Sequence, residues 1–287
     1  VLRSGSVSLR SDSMKVGIIG GTGKMGSLFA GVFSRAGHEV QVCGRGCLSL
    51  CLDLAVSSDV LMVSVPIRDT VHVIQDITPF LSKDQILCDL TSLKTSPVAA
   101  MLASRASVVG LHPMFGPTVP SLNGQTIIAT PARIDEAALA SLLSVFEREG
   151  ARITRSSPEE HDRMMAVVQG LTHSITLTVA ETMRRLGVSP EATGPYRSPV
   201  YQIEMGLVGR LLSQDPDLYA DMLTENPYLP PVLAACEASF AHIREAIESG
   251  EPGPFREIFA HDAEFFAGIT QSASEETDYL ITAMVQR

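Results

Sequence analysis

Apolar and polar positions in the first half of the chain fall into strand-length runs separated by helix-length stretches. An apolar strand opens at Val16, a helical stretch follows over 27–36, and a second strand comes at 39–43. The run VLMVSV at 60–65 is apolar at nearly every position and closed by Pro66, the pattern of a strand covered on both faces. A helix over 69–81, strands at 85–90, 108–111 and 126–130, a helix over 135–150 and a strand over 151–156 continue the alternation. Strands alternating with helices predict an α/β fold, a doubly wound parallel sheet of Rossmann type.

The pattern changes at 158. Ser157 stands where a helix cap belongs, Pro158 at the first helical position, and Glu159 and Glu160 in the first turn. The helix they open extends to 186, before Gly187 and Pro190. Later periodicity is helical as well, over 198–213, 215–224, 228–249 and 254–285. We therefore expect a dinucleotide-binding domain at 14–157 and an all-helical substrate and dimerisation domain at 158–287. Residues 1–13, rich in Ser and Arg and without periodicity, read as a disordered lead-in.

The first strand runs into Gly21, Thr22, Gly23, Lys24, Met25 and Gly26, a G-x-G-x-x-G between strand and helix. There the first glycine permits a tight turn, the second admits a pyrophosphate to the backbone, and the third lets helix pack on strand. The helix N-terminus supplies N–H groups and partial positive charge to the phosphates. The second strand ends at Gly44 and Arg45, where an NAD site presents an acid to the ribose 2′-hydroxyl. With no acid there and a guanidinium at Arg45 to pair a 2′-phosphate, NADP is favoured over NAD. The competing reading leaves Arg45 as a solvated surface charge.

Composition narrows the function. With 22 basic and 32 acidic residues the net charge is −10, and no basic stripe fits a nucleic acid. No apolar run approaches the ~18 residues of a membrane span, so a cytoplasmic protein is expected. Cysteines odd in number and placed beside buried strands suit reduced thiols. Cys43, Cys47 and Cys51 recur every four residues, but no fourth ligand accompanies them, and no metal is expected.

The candidate for chemistry is His112, in the run GLHPMFGP at 110–117, which reads as a loop punctuated by two prolines and two glycines. An imidazole with an ordinary pKa near ~6.5 can take a proton at neutral pH. Strand 108–111 would deliver it to the carboxyl edge of the sheet, the edge where open α/β sheets bind ligands, together with Thr91, Ser92 and Lys94. The alternative is a structural turn whose histidine caps the strand.

Taken together, VSVPI at 63–67, DLTSLK at 89–94, GLHPMFGP at 110–117, EHDRMMAVVQGLTH at 160–173, SPVYQIEM at 198–205 and VGRLLSQDPDLYADM at 208–222 resemble the prephenate dehydrogenase family of tyrosine biosynthesis. The likeness is to the bacterial dehydrogenase domain often fused to chorismate mutase, over about 15–285 of this numbering, with no mutase-like segment expected before Met14. The resemblance implies oxidative decarboxylation of prephenate to 4-hydroxyphenylpyruvate, with hydride transfer to NAD(P) in a homodimer joined by the helical domain.

By the same resemblance, His112 is the catalytic base and Ser92 a hydroxyl that orients it or the substrate. A cap on the following helix is the other reading of Ser92. Lys94, His173 and Arg210 match substrate-binding positions, Arg210 being the better carboxylate partner because its planar fork can make two parallel hydrogen bonds. Val65 and Pro66 fall at the cofactor. Gln202 stands where fused relatives carry arginine, which leaves arogenate or 4-amino-4-deoxyprephenate as rival substrates. Other classes with this domain plan are a β-hydroxyacid dehydrogenase or imine reductase, and a non-catalytic nucleotide-binding regulatory protein.

Overall fold

The computed structural model describes residues 13–286; the lead-in expected at 1–13 lies, apart from Ser13, outside them. The chain divides into two compact units. The first runs to Met165 and takes in Leu218–Asn226; the second holds Ala166–Asp217 and the chain from Pro227. The division between these units falls later than the boundary expected at 157/158 and is discontinuous.

The first unit is built on β1 (Lys15–Ile19), β2 (Glu39–Cys43), β3 (Val60–Val63), β4 (Ile86–Asp89), β5 (Ser107–Pro113), β6 (Thr126–Arg133) and β7 (Arg152–Arg155). Its helices are α1 (Lys24–Arg35), α2 (Leu48–Ser57), α3 (Ile67–Ile77), α4 (Thr95–Met101), α5 (Glu136–Glu147) and α6 (Pro158–Met165). The strands form one seven-stranded sheet in the order β2-β1-β3-β4-β5-β6-β7. The first five run parallel, with β1 flanked by β2 and β3. The crossover from β2 to β3 therefore opens a crevice at the carboxyl ends of β1 and β3, the switch point at which such sheets bind ligands.

The pattern alone predicts a parallel sheet, and the sheet departs from it at one pairing. β6 pairs antiparallel to β5, with β7 parallel to β6. No helix lies between β5 and β6, and a parallel return needs a crossover of a dozen or more residues, usually helical. The irregular segment at 114–125 brings the chain back instead.

Burial on both faces explains the near-continuous apolar strands. Val60, Met62, Ile86 and Cys88 pack beneath α1 and α5, where Phe29 and Phe33 meet Phe146 edge-on at 5.5 and 5.6 Å. Leu61, Val63 and Leu87 face Leu54, Ile74 and Val98, from α2, α3 and α4, on the opposite side. Neither α2 nor α4 is legible in the pattern: Leu48–Ser57 is apolar on most sides and Thr95–Met101 is seven residues long.

The second unit contains α7 (Thr172–Leu186), α8 (Pro190–Thr193), α9 (Pro199–Leu212), the start of α10 (Pro216–Thr224), and the whole of α11 to α13. These last are α11 (Leu229–Glu248), α12 (Pro252–Phe265) and α13 (Thr270–Val285). The helix expected over 158–186 is continuous in course but interrupted by a π-helical stretch, Ala166–Leu171. There a Cβ on Gly170 would stand 2.5 Å from Leu229 Cδ1, so the missing side chain lets α11 approach. The single helix expected over 254–285 is two, because the chain turns at 266–269 around Gly268. Neither α12 nor α13 buries a residue in this chain, and Phe259, Phe265 and Tyr279 are exposed.

Candidate active site

At the switch point lies a cleft of about 650 Å³. Its floor is the glycine turn between β1 and α1. Gly20, not Gly21, carries the turn: its φ is +81°, and a Cβ there would stand 2.1 Å from the Ser64 carbonyl oxygen. Gly21 lacks a side chain for another reason, since a Cβ would meet Val42 at 2.6 Å. Gly26, in the first turn of α1, lets the helix sit over the loop; a Cβ there would be 2.5 Å from the Gly20 carbonyl oxygen.

Helix α1 starts at Lys24, earlier than the 27 expected, with Gly23 at its cap position. No side chain caps it and no acid lies in its first turn, so its leading N–H groups and dipole are left for an anion. A loop cleared of side chains, leading to an uncapped twelve-residue helix, fits the pyrophosphate of a dinucleotide.

Of the residues singled out for the cofactor, Thr22, Gly23, Arg45, Val65 and Pro66 line the cleft. Gly21, Lys24, Met25 and Gly26 build the turn and the helix start behind it. The sequence reading missed one wall, the face of α3 bearing Asp69, His72, Val73 and Asp76. Their spacing of three and four residues on a helix after VSVPI is the signal that marks it. Cys47 and Cys51 line the cleft too, and burial followed by the Cys51 contact pushes the Cys43 thiol up to about 12. All five cysteines are free.

The end of β2 explains the missing acid. A Cβ on Gly44 would lie 2.5 Å from Thr22 Oγ1 and 3.2 Å from Thr22 Cγ2, so a threonine methyl and hydroxyl fill that space.

His112 is not in a loop. It is the penultimate residue of β5, paired across to Ile128 of β6 and 2 % exposed. Its Nδ1 lies 2.8 Å from His161 Nε2, and His161 Nδ1 lies 2.8 Å from Asp162 Oδ1. Asp162 also accepts the backbone N–H groups of Lys94 and Thr95, each at 2.8 Å. Burial, then the neighbouring His161 and Lys94, push His112 well below the usual imidazole range, so the ring is neutral. Burial also lowers His161. For Asp162, burial opposes ionisation, but hydrogen bonds from His161, Thr95 and Lys94 outweigh it and hold the carboxyl below its usual range.

Lys94 is expected at the substrate. Its side chain is wholly buried, with the ammonium donating to the Asp89 carboxylate and, at 2.8 Å, to the Leu111 carbonyl oxygen. Two of its three donors are thereby committed inward, so in this structure the Lys94 ammonium ties β4 to β5. Burial lowers its pKa. Ser92 lies half-buried beyond the carboxyl end of β4, next to β5, and does not cap α4, whose leading N–H groups are taken by Asp162 instead.

The remaining residues belong to the second unit: His173 on α7, half-buried and lowered by that burial, and Gln202 and Arg210 on the exposed surface of α9. In the sequence His161 and Asp162 stand out only as part of the run EHDRMMAVVQGLTH at 160–173. No local signal marks them, since Asp162 closes the N-terminus of α4 across a long sequence separation.

A dinucleotide cleft at the switch point, with a neutral imidazole at the carboxyl end of β5, outside the residues that line the cleft, fits the class of nicotinamide-nucleotide dehydrogenases. Family models sharpen this. The nucleotide-binding domain of prephenate dehydrogenase matches residues 36–155, and the dimerization domain of prephenate dehydrogenase matches 157–261. The chain belongs to the prephenate dehydrogenase family.

Among curated relatives, a probable arogenate/prephenate dehydrogenase from Methanocaldococcus jannaschii is 28% identical over 96% of this chain and 66% of its own length. The T-protein of Enterobacter agglomerans is 34% identical over 87% of this chain and 66% of its own length. The chain thus spans about two thirds of those relatives. A prephenate dehydrogenase from A. aeolicus, solved with hydroxyphenyl propionate and NAD+, superposes with a TM-score of 0.73. It is 24% identical, with 93% of this chain and 99% of that one covered, and shows the shared fold.

Proposed function

We propose that this protein is a prephenate dehydrogenase that oxidises C4 of prephenate with loss of the ring carboxylate as CO2, giving 4-hydroxyphenylpyruvate, and that it prefers NADP. The observation that carries this reading is His112, a neutral imidazole at the carboxyl edge of the sheet. A neutral ring accepts the C4 hydroxyl proton through Nε2, the nitrogen that does not face His161. The bound nicotinamide supplies the acceptor for the hydride leaving C4. Ser92 orients the hydroxyl, and Arg210 and His173 take the substrate's carboxylates. Aromatisation drives the decarboxylation once the proton is withdrawn.

The NADP preference rests on Arg45 at the cleft and on Thr22 standing in the acid's space beside Gly44. The exposed apolar residues of α12 and α13 and the family's dimerization domain support a homodimer. Among the described residues no helix is long and apolar enough to cross a membrane. A cytoplasmic setting suits the free thiols.

Arogenate is the second reading, favoured by Gln202, whose neutral amide suits a zwitterionic side chain better than an arginine would. Steady-state kinetics with prephenate and arogenate, each with NAD and NADP, test the proposal. The highest kcat/KM is expected for prephenate with NADP. A higher value for arogenate overturns the substrate, a higher value for NAD overturns the cofactor preference, and no turnover in any pairing overturns the enzymatic reading.

A further inference from the structure

Asp162 is the fixed end of a chain of hydrogen bonds that finishes at His112. Its carboxylate is anchored by the N–H groups of Lys94 and Thr95 at the start of α4, and the Asn226 amide holds the same residue's carbonyl oxygen at 2.9 Å. A carboxylate can only accept, so His161 Nδ1 carries a proton and donates it to Asp162. A neutral His161 then has a lone pair at Nε2, which obliges His112 Nδ1 to carry the proton shared between the rings. By elimination, His112 Nε2 has the lone pair. The order of donors and acceptors along Asp162, His161 and His112 admits one arrangement when both rings are neutral.

We propose that His161, anchored by Asp162, is a positioning residue that keeps His112 in the tautomer whose Nε2 accepts the substrate proton. The proposal rests on the reading of His112 as that acceptor. When the hydroxyl O–H bond breaks and an N–H bond forms at Nε2, the new charge on His112 faces the lone pair of His161 and, behind it, the Asp162 carboxylate. The charged groups around His161 are Asp162 on its own helix, Lys94 before α4 and Asp89 at the end of β4, with His112 facing it from β5. Lys94 is neutralised locally by Asp89, so Asp162 is the anion aligned with the two rings.

Three measurements test this. In the unmodified protein, long-range proton–nitrogen correlation spectra of ring-labelled histidine, with His112 assigned through His112→Asn, should show Nδ1 protonated and Nε2 bare. The opposite tautomer overturns the proposal without any variant. His161→Leu removes the acceptor and should lower kcat by about 100-fold or more, with KM and nucleotide affinity held within about threefold. It should also displace the acid limb of the kcat/KM profile.

His161→Gln places a carbonyl oxygen near the lost lone pair and should restore turnover to within about tenfold of the parent. A His161→Leu enzyme with parental turnover, or Gln no better than Leu, overturns the positioning role. His112→Asn separates the two claims. If it is inactive while His161→Leu is normal, only the positioning role fails; if His112→Asn is itself active, the underlying reading of His112 fails.

Discussion

The Lys94 ammonium donates to the Asp89 carboxylate where neither side chain has any exposed surface. The pair holds the ends of β4 and β5 together, because the same ammonium bonds the Leu111 carbonyl oxygen beside His112. Thr91 also donates to that carboxylate oxygen, while Asp89 Oδ1 has no hydrogen-bond partner among the described residues. A pair so fully removed from water is costly to break from one side. Lys94→Met should therefore lower stability by about 3–5 kcal/mol in urea unfolding. A variant of parental stability with a raised substrate KM would return Lys94 to the substrate.

His112 is expected to matter for turnover and little for folding. His112→Asn should reduce kcat by about 100- to 10,000-fold while leaving nucleotide affinity unchanged. Parental turnover in a folded variant would end the assignment.

Stability should fall on the acid side. His112 and His161 are buried with lowered pKa values, so below about pH 6.5 the unfolded chain takes up protons that the folded chain refuses. Their contribution is complete above that pH. It is lost as pH drops from there towards their folded pKa values, by up to about 1.4 kcal/mol per pH unit for each ring. Urea midpoints at pH 7.5 and 5.5 measure this, and His112→Asn should flatten the difference. An unchanged difference would place the acid sensitivity elsewhere.

Cofactor choice should follow Thr22, Gly44 and Arg45. Arg45→Ala should reduce kcat/KM for NADP selectively, and equal losses with NAD would remove the 2′-phosphate argument. Gly44→Asp alone should impair both nucleotides, since its Cβ meets Thr22. Combined with Thr22→Gly, it should shift preference towards NAD.

Arg210→Ala should raise the substrate KM with a smaller effect on kcat, as expected when a binding contact is lost. An unaltered KM would remove Arg210 from the substrate.

Strand and helix alternation made the α/β unit legible, because residues covered on both faces, such as Val60 and Leu61, leave an unbroken apolar run. The glycine turn is legible as a motif, though what excludes a side chain at Gly20 is Ser64, just past the end of β3. His112 was found, but its place on β5 was not: Pro113 reads as a loop signal, whereas in the sheet it ends the strand. The burial of Lys94 is not legible, since nothing local says that Asp89, five residues earlier, turns back to meet it. The partnership of His112 with His161 spans 49 residues and follows only from the packing of α6 against the sheet.

The segment Leu218–Asn226 belongs with the nucleotide-binding sheet although the chain on either side of it does not. Asp221 receives the Arg68 guanidinium at 2.9 Å at the start of α3, and Met222 packs with Ile67 and Leu93. Cutting the gene at Met165 would therefore strip the dinucleotide fold of an acidic plug and an apolar patch that arrive from far downstream. The two units of this polypeptide are written interleaved, so any uninterrupted stretch that holds all of one also takes in residues of the other.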